Sequence, residues 1–155
     1  MVAPQFWLMK SEPAHCSVDD AWRAPDRTVA WTKVRNHQAR NFMRDRMRVD
    51  DGVLFCHSGC AEPGIVGIAR VASASRPDPT QFDPVSPWHD PDATPAAPRW
   101  ALVDVQLLRK TRTLTLRAMR ADPRLAGMRV LARGNRLSIT PVAAEHWDVV
   151  QALLD

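Results

Sequence analysis

The segment from Trp31 to Asn41 concentrates side chains that could hold a flat heterocyclic ligand. An aromatic ring can stack on a base, while planar donors and acceptors bind the polar edge of that base. The segment supplies both kinds of group from Trp31, Arg35, Asn36, His37, Gln38, Arg40 and Asn41. A buried tryptophan followed by the polar start of a helix would explain the same residues without any ligand. Both interpretations stay open on this segment alone.

The same segment predicts the start of a helix. Asn36 is a favoured N-cap residue, and an apolar stripe follows it at helical spacing. The stripe comprises Ala39, Phe42, Met43 and Met47. The first N–H groups of a helix have no partner within that helix. They would therefore offer donors to an acceptor or an anion beside Trp31 and Arg35.

The sequence lacks the motifs of several common catalytic and metal sites, such as a Gly-x-Ser-x-Gly elbow or a His-Glu-x-x-His helix. Cys56, His57 and Cys60 superficially suggest zinc. A structural zinc site needs four ligands, however, and neighbouring residues on a strand point to opposite faces. Glu12 directly follows a predicted buried strand, where an ion pair is its ordinary role and general acid or base catalysis is the alternative. We expect no catalytic residue, no metal, no cofactor and no enzyme activity.

Length and composition fit one ordinary globular domain of 155 residues, with 45% hydrophobic and 25% charged residues. No apolar run approaches the roughly 20 residues of a membrane helix, and no signal segment opens the chain. We therefore expect a cytoplasmic protein without a membrane partner. The net charge of +4 permits a polyanionic partner. It supports nucleic acid only weakly, because 18 arginines against 3 lysines also fit a GC-rich genome.

Hydrophobic patterning predicts a mixed α+β domain. The predicted strands are Phe6–Lys10, Val53–His57, Ile65–Val71, Trp100–Leu108 and Leu137–Thr140. A helix over 17–22, with Ser17 as N-cap, and a closing helix after Pro141 accompany them. We interpret the proline-rich stretch 76–99 as a long ordered loop. The sum is a mainly antiparallel sheet, curled into a small β-barrel and flanked by helices.

Several strand ends could converge on one cleft with Trp31. Donors follow three of the predicted strands or lie beside them, at 10–11, 57–58 and 136–138. The stretch 63–65 adds flat apolar backbone. Spacing alone does not prove that these segments meet.

Ordered blocks along the chain resemble the EVE domain family of the PUA-like superfamily. The blocks are Phe6–Pro13, Trp31, Val34–Asn41, Phe55–Ser58, Pro63–Gly67 and Asn135–Ser138. The resemblance runs nearly from end to end and implies a single EVE-like domain over residues 1–155. It also implies a small β-barrel flanked by helices, akin to the YTH and SRA domains that capture modified bases.

The resemblance implies roles for individual residues as well. Trp31 would form one wall of a base pocket, and its polar lining would comprise Lys10, Ser11, Asn36, Gln38, His57, Ser58 and Ser138. Pro63, Gly64 and Ile65 would close another side, with Ala39 beside the pocket in the helix start. Arg35, Arg40 and Arg136 would contact phosphate. His37 and Cys56 depart from the family pattern, because each stands where an aromatic residue is common.

The function that follows is recognition of a modified nucleobase, a methylated or otherwise modified cytosine or adenine, in DNA or RNA and without catalysis. Extruding a base costs a few kcal/mol, and stacking returns about 1–3 kcal/mol. Phosphate contacts would therefore have to add affinity. Two alternatives stay open, a binder of a free small heterocyclic metabolite and an enzyme acting on modified nucleic acid.

Overall fold

The computed structural model describes residues 3–155. Within these residues, eight strands carry the fold: β1 (Phe6–Ser11), β2 (Thr28–Ala30), β3 (Gly52–His57), β4 (Gly64–Val71), β5 (Arg76–Pro77), β6 (Ala101–Leu102), β7 (Asp104–Thr115) and β8 (Ile139–Val142). Four α-helices accompany them: α1 (Val18–Arg23), α2 (His37–Asn41), α3 (Leu116–Arg120) and α4 (Ala144–Leu154). The predicted α+β class is confirmed.

Six of the strands form one sheet in the order β2-β7-β4-β3-β1-β8, and β5 pairs separately with β6. Within the six-stranded sheet β1 and β3 run parallel, and every other neighbouring pair is antiparallel. The mainly antiparallel sheet is therefore confirmed. The closed barrel is wrong, because the edge strands β2 and β8 do not pair with each other in the described part of the chain. These strands, of only three and four residues, lie at opposite edges of the sheet, so the sheet is open.

The two faces of the sheet carry separate cores, because successive side chains of a strand point to opposite faces. In β1, Trp7 and Met9 join one core and Leu8 joins the other. Helices α1 and α2 add Val18 and Ala39 to the first core. Helices α3 and α4 add apolar residues to the second, among them Met119, Val150 and Leu154.

The capping predictions are confirmed. Ser17 accepts from the Asp20 N–H, and the Asp20 side chain accepts from the Ser17 N–H, so α1 starts with a capping box. The Asn36 side chain accepts from the Ala39 N–H at 3.0 Å. Helix α2 is short, however, and its last turn widens into a π-type turn over Phe42–Arg46. The predicted apolar stripe of this segment lies buried in the first core.

Two strands differ in extent from their prediction. β7 reaches Thr115, well beyond the predicted Leu108, because its pairing with β4 continues as far as Thr115, which lies opposite Gly64. β8 begins at Ile139, two residues later than predicted. The stretch 76–99 is an ordered loop, as predicted, and the buried side chain of Gln81 holds it. The Gln81 amide donates to the Trp100 carbonyl oxygen at 2.8 Å.

Candidate nucleobase site

A cavity of about 560 Å³ opens where β1 ends. We call it the base cavity. Its lining comprises Lys10, Ser11, Glu12, His15, Cys16, Val29, Ala30, Trp31, Thr32, Lys33, Val34, Arg35, Ser58, Trp88, Arg136 and Ser138. The volume lies within the range of about 300–1,000 Å³ that is usual for small-molecule sites.

Sheet topology brings three segments of this lining together. Because β1 and β3 are parallel, their carboxyl ends lie at the same edge of the sheet, and Ser11 pairs with His57. The Ser58 N–H then donates to the Ser11 carbonyl oxygen at 3.1 Å. On the other side of β1, the Lys10 N–H donates to the Ser138 carbonyl oxygen at 2.8 Å. Residues from three distant parts of the chain therefore share one rim.

Trp31 forms a fixed wall of the base cavity. The backbone N–H of Trp31 donates to the Val103 carbonyl oxygen at 2.9 Å. Its indole stands edge-on against Phe55, with ring centroids 5.2 Å apart and planes 79° apart. Only 6% of the residue is exposed. Packing thus holds the ring in one orientation and leaves a small part of its surface facing the cavity.

Three cations border the base cavity without a carboxylate partner. Eleven ion pairs occur among residues 3–155, and they leave out Lys10, Lys33 and Arg136. Lys10 and Lys33 are half-buried and Arg136 is exposed. The site therefore has positive charge available for an acceptor or an anion.

Arg35 lines the base cavity, and its guanidinium is held by neighbouring groups of the protein. Its guanidinium donates to the Trp88 carbonyl oxygen at 2.7 and 3.2 Å and to Thr80 Oγ1 at 2.9 Å. It also donates to the Val34 carbonyl oxygen at 3.1 Å and to Asp78 Oδ2 at 3.2 Å. A guanidinium has five N–H groups, so these contacts occupy its donors. Arg35 fixes Trp88 and the loop around it beside the cavity.

Asp78 anchors the other side of this arrangement. It is fully buried, and Oδ2 accepts from the Lys33 N–H at 2.7 Å. Burial alone would raise the pKa of the Asp78 carboxyl, but hydrogen bonds from Thr80, Lys33 and Arg35 outweigh it and lower the pKa below its usual value. The Lys33 backbone has a φ of 72°, in the left-handed region, and the bond to Asp78 holds it there.

The outer rim carries groups that could serve chemistry. Glu12 Oε2 lies 3.8 Å from His15 Nδ1, and the His15 ring meets Trp88 edge-on at 6.1 Å. Cys16 is half-buried beside them. Burial, followed by the nearby charge of Asp20, raises the pKa of the Cys16 thiol, so its nucleophilic thiolate form is disfavoured.

His57 lies at the end of β3 but does not line the base cavity. Its Nε2 accepts from the Val18 N–H at 3.0 Å, so the ring caps the first turn of α1. Burial lowers the pKa of His57, although the nearby Asp19 opposes this shift. A neutral ring is what the contact requires, since a protonated Nε2 could not accept.

Seven of the predicted site residues line the base cavity and seven do not. The seven that line it are Lys10, Ser11, Trp31, Arg35, Ser58, Arg136 and Ser138. Outside it, Asn36 caps its own helix, Gln38 is exposed and Ala39 is buried. Gly64 and Ile65 are buried in β4, and the Pro63 carbonyl oxygen accepts from the Leu116 N–H. The structure therefore brings together half of the predicted set.

Sequence reasoning missed further lining residues, notably His15, Cys16, Lys33 and Trp88. Trp88 carried a signal, because a tryptophan in a polar, proline-rich stretch needs a burial site. Its location beside the cavity depends on the Arg35 contacts. Those contacts cross more than fifty positions of chain, and no local pattern predicts them.

Among residues 3–155 no group of three or more His, Cys, Asp or Glu side chains is arranged to hold a metal ion. Cys56 is fully buried, and burial raises the pKa of its thiol to about 12. Cys60 is exposed. In the same described range no helix is long and apolar enough to cross a membrane.

Comparison with known proteins identifies the family of this chain. Residues 5–153 match the EVE domain. The chain therefore belongs to the EVE domain family, as the resemblance of its sequence blocks indicated.

Similar proteins include thymocyte nuclear protein 1 from human and chicken. The human protein is 36% identical over 95% of this chain and 72% of its own length. The chicken protein is 38% identical over 95% of this chain and 67% of its own length.

Solved structures show the same fold. A Pseudomonas putida protein has a TM-score of 0.91 at 42% identity, covering 97% of this chain and 99% of its own. Human THYN1, in a crystal structure in complex with 5-methylcytosine-containing DNA, also has a TM-score of 0.91, at 36% identity, with 97% and 98% coverage. A Zygosaccharomyces rouxii YTH domain, 12% identical with a TM-score of 0.56 and coverage of 97% and 86%, shares the fold alone.

Proposed function

We propose that this protein binds nucleic acid that carries a modified base and that it accommodates the base in the base cavity. The observation that carries the proposal is the cavity itself, where the fixed indole of Trp31 lies with three cations that form no ion pair among residues 3–155. The human THYN1 complex with 5-methylcytosine-containing DNA supports it, because that chain is 36% identical over nearly the whole of this one. On this proposal, residues 1–155 act as one EVE-like domain.

The polar lining suits the edge of a nucleobase. The Ser11 hydroxyl donates to the Cys16 carbonyl oxygen at 2.6 Å, so it is left as an acceptor for a ligand. Ser58 and Ser138 retain hydroxyls that can donate or accept. Glu12 offers a carboxylate, which is the group that accepts from an exocyclic amine such as that of cytosine. We therefore propose that a base with an amino group is recognised.

Positive charge near the base cavity would add affinity through phosphate. Lys10, Lys33 and Arg136 are available for this role, whereas the donors of Arg35 are occupied within the protein. We propose Arg136 as the phosphate contact of the cavity rim, because it is exposed and unpaired with any carboxylate of residues 3–155. Arg35 positions Trp88 instead.

The proposed role is recognition rather than catalysis. A nucleophilic Cys16 would need a lowered pKa, and burial raises it. Glu12 and His15 are both exposed, outside the buried environment in which catalytic acids and bases are usually found. The cytoplasmic location stays a prediction, and the vertebrate relatives bear the name of a nuclear protein.

A fluorescence-anisotropy titration tests the function. Labelled oligonucleotides with cytosine, 5-methylcytosine, adenine or N6-methyladenine at one central position would be compared in single- and double-stranded form. We expect at least one modified oligonucleotide to bind about tenfold more tightly than its unmodified counterpart. Equal affinity for all of them would contradict the proposal. Stronger binding of the free modified nucleoside would favour a metabolite binder, and turnover of the oligonucleotide would favour an enzyme.

A further inference from the structure

A second cavity, of about 140 Å³, is lined by four arginines together with Trp100 and Ser75. We call it the arginine groove and define it by Arg40, Arg44, Arg76 and Arg99. None of its lining residues is acidic. All of the formal charge that faces the groove from the described residues is therefore positive.

The arginines of the groove differ in how their charge is compensated. Arg44 pairs with Asp45 at 2.8 Å, and Arg76 pairs with Asp104 at 2.9 Å. Arg99 lies 3.4 Å from two aspartates, Asp90 and Asp92. Arg40 differs from these three arginines, because no carboxylate of residues 3–155 lies within 4.0 Å of it.

Arg40 binds only neutral acceptors of the protein. Its Nε and Nη2 donate to Asn41 Oδ1 at 3.1 and 2.9 Å, and its Nη1 donates to the Arg99 carbonyl oxygen at 2.8 Å. Three bonds leave two of its five N–H groups for another acceptor. Burial, followed by repulsion from Arg44, lowers the pKa of Arg40. An anion in the groove would relieve that repulsion.

The groove lies close to the base cavity through Trp100. The guanidinium carbon of Arg35, which borders the base cavity, is 5.4 Å from the Trp100 ring centroid. That of Arg40 is 5.7 Å from the same centroid. The two guanidinium carbons can therefore be no farther apart than the sum of these distances, about 11 Å. Stacked nucleotides rise about 3.4 Å along a strand. The upper limit of about 11 Å therefore corresponds to about three nucleotides.

We propose that the arginine groove binds a phosphodiester group of the same nucleic acid whose modified base enters the base cavity, within about three nucleotides of that base. The inference rests on the proposed function and adds a second contact to it. The ligand class is a phosphate group, which guanidiniums bind through paired, charge-assisted hydrogen bonds. The groove, of about 140 Å³, has room for such a group.

The test compares the wild-type protein with Arg40→Gln and Arg44→Gln. Arg120→Gln serves as the matched control, because Arg120 is exposed on α3 and does not line either cavity. Each protein is titrated with a modified-base oligonucleotide at several salt concentrations, with the free modified nucleoside, and with inorganic phosphate. Thermal unfolding checks that every variant is folded. If Arg40→Gln does not fold, Arg44→Gln still tests the groove.

We expect Arg40→Gln to weaken oligonucleotide binding about tenfold and to reduce the slope of log K against log salt by about 0.7. Nucleoside binding and the Arg120→Gln protein should be unchanged. An unchanged oligonucleotide affinity and slope in both groove variants would overturn the inference while leaving the proposed function intact. Saturable phosphate binding that depends on Arg40 without any effect on the oligonucleotide would assign the groove to a free anion and also overturn it. Oligonucleotide binding that depends on Arg40 but is the same for the modified and the unmodified base would refute the proposed function and leave phosphate binding by the groove standing.

Discussion

Arg35 and Asp78 form an ion pair, with Nη1 3.2 Å from Oδ2, in which the carboxylate is fully buried. The same guanidinium holds the Trp88 carbonyl oxygen. One pair therefore joins the segment after β2 to the loop that borders the base cavity. Loss of one partner would leave the other charge desolvated, and this is expensive in a protein interior.

Asp78→Asn is expected to lower the free energy of unfolding by about 3 kcal/mol, because it leaves Arg35 without its buried counter-charge. Urea denaturation of the two proteins measures this difference. Asp45→Asn is the matched control, because Asp45 forms an exposed pair with Arg44, and loss of such a pair should change the free energy of unfolding far less. Equal losses of unfolding free energy in the two variants would show that the Arg35–Asp78 pair stabilises the protein no more than the exposed Arg44–Asp45 pair does.

His57 should make stability depend on pH. Burial lowers its pKa in the folded protein below the ordinary value of about 6.5. The unfolded chain therefore binds more protons at mildly acidic pH. The contribution of His57 is fully present above about pH 6.5 and is lost as the pH falls through the folded pKa.

Urea unfolding at pH 7.5, 6.5 and 5.5 measures this effect. The wild-type protein should lose stability on acidification relative to His57→Gln, whose amide oxygen can still accept from the Val18 N–H without titrating. His89→Gln should follow the wild type. An equal loss of stability on acidification in the wild type and in His57→Gln would exclude His57 as the source of the pH dependence.

Gly64 is required by strand pairing rather than by ligand contact. A Cβ there would lie 2.8 Å from Thr115 Cα and closer still to the Leu114 carbonyl oxygen of the neighbouring strand. Gly64→Ala should therefore destabilise the fold by about 3 kcal/mol, since backbone cannot yield as a side chain can. Gly127→Ala is the control, because its nearest neighbour, a His146 ring atom, is 3.4 Å from the added Cβ. Comparable stability of the two alanine variants would refute this role.

The three cysteines should react with a thiol reagent at very different rates. Cys60 is exposed and should react first. Cys16 should react slowly, because burial raises its pKa, and Cys56, with a pKa of about 12, should react only on unfolding. Mass spectrometry of partly labelled protein at pH 8 assigns the order. Because Cys16 lines the base cavity, a bound modified oligonucleotide should protect Cys16 and leave Cys60 unaffected.

Local sequence patterns predicted the elements well where one face of an element meets the core. The caps at Ser17 and Asn36 and the strands that end near Lys10 and His57 follow from such patterns. The barrel could not be predicted reliably in this way. Closure depends on whether two short edge strands meet, and the length of each edge strand is set by tertiary packing.

The residues of the candidate site differ, for the same reason, in how well the sequence predicts them. Lys10, Ser11 and Ser58 lie at or beside predicted strand ends, but the parallel pairing of β1 with β3, which the sequence did not predict, brings them together. Asn36 was predicted to line the cavity, but a capping carboxamide must turn back to its own helix. Trp88 was not predicted there, because only the long-range contact with Arg35 places it.

Recognition of a modified base against Trp31 can be measured as the affinity of Trp31 variants for modified and unmodified oligonucleotides, by anisotropy of labelled strands. Trp31→Ala should remove the preference for the modified base, with a loss of about 1–3 kcal/mol that matches one stacked base. Trp31→Phe should retain part of it, and Trp147→Phe, whose ring stacks on Phe6 outside the cavity, should retain all of it. A folded Trp31→Ala protein that still prefers the modified oligonucleotide as strongly as the wild type would contradict the account.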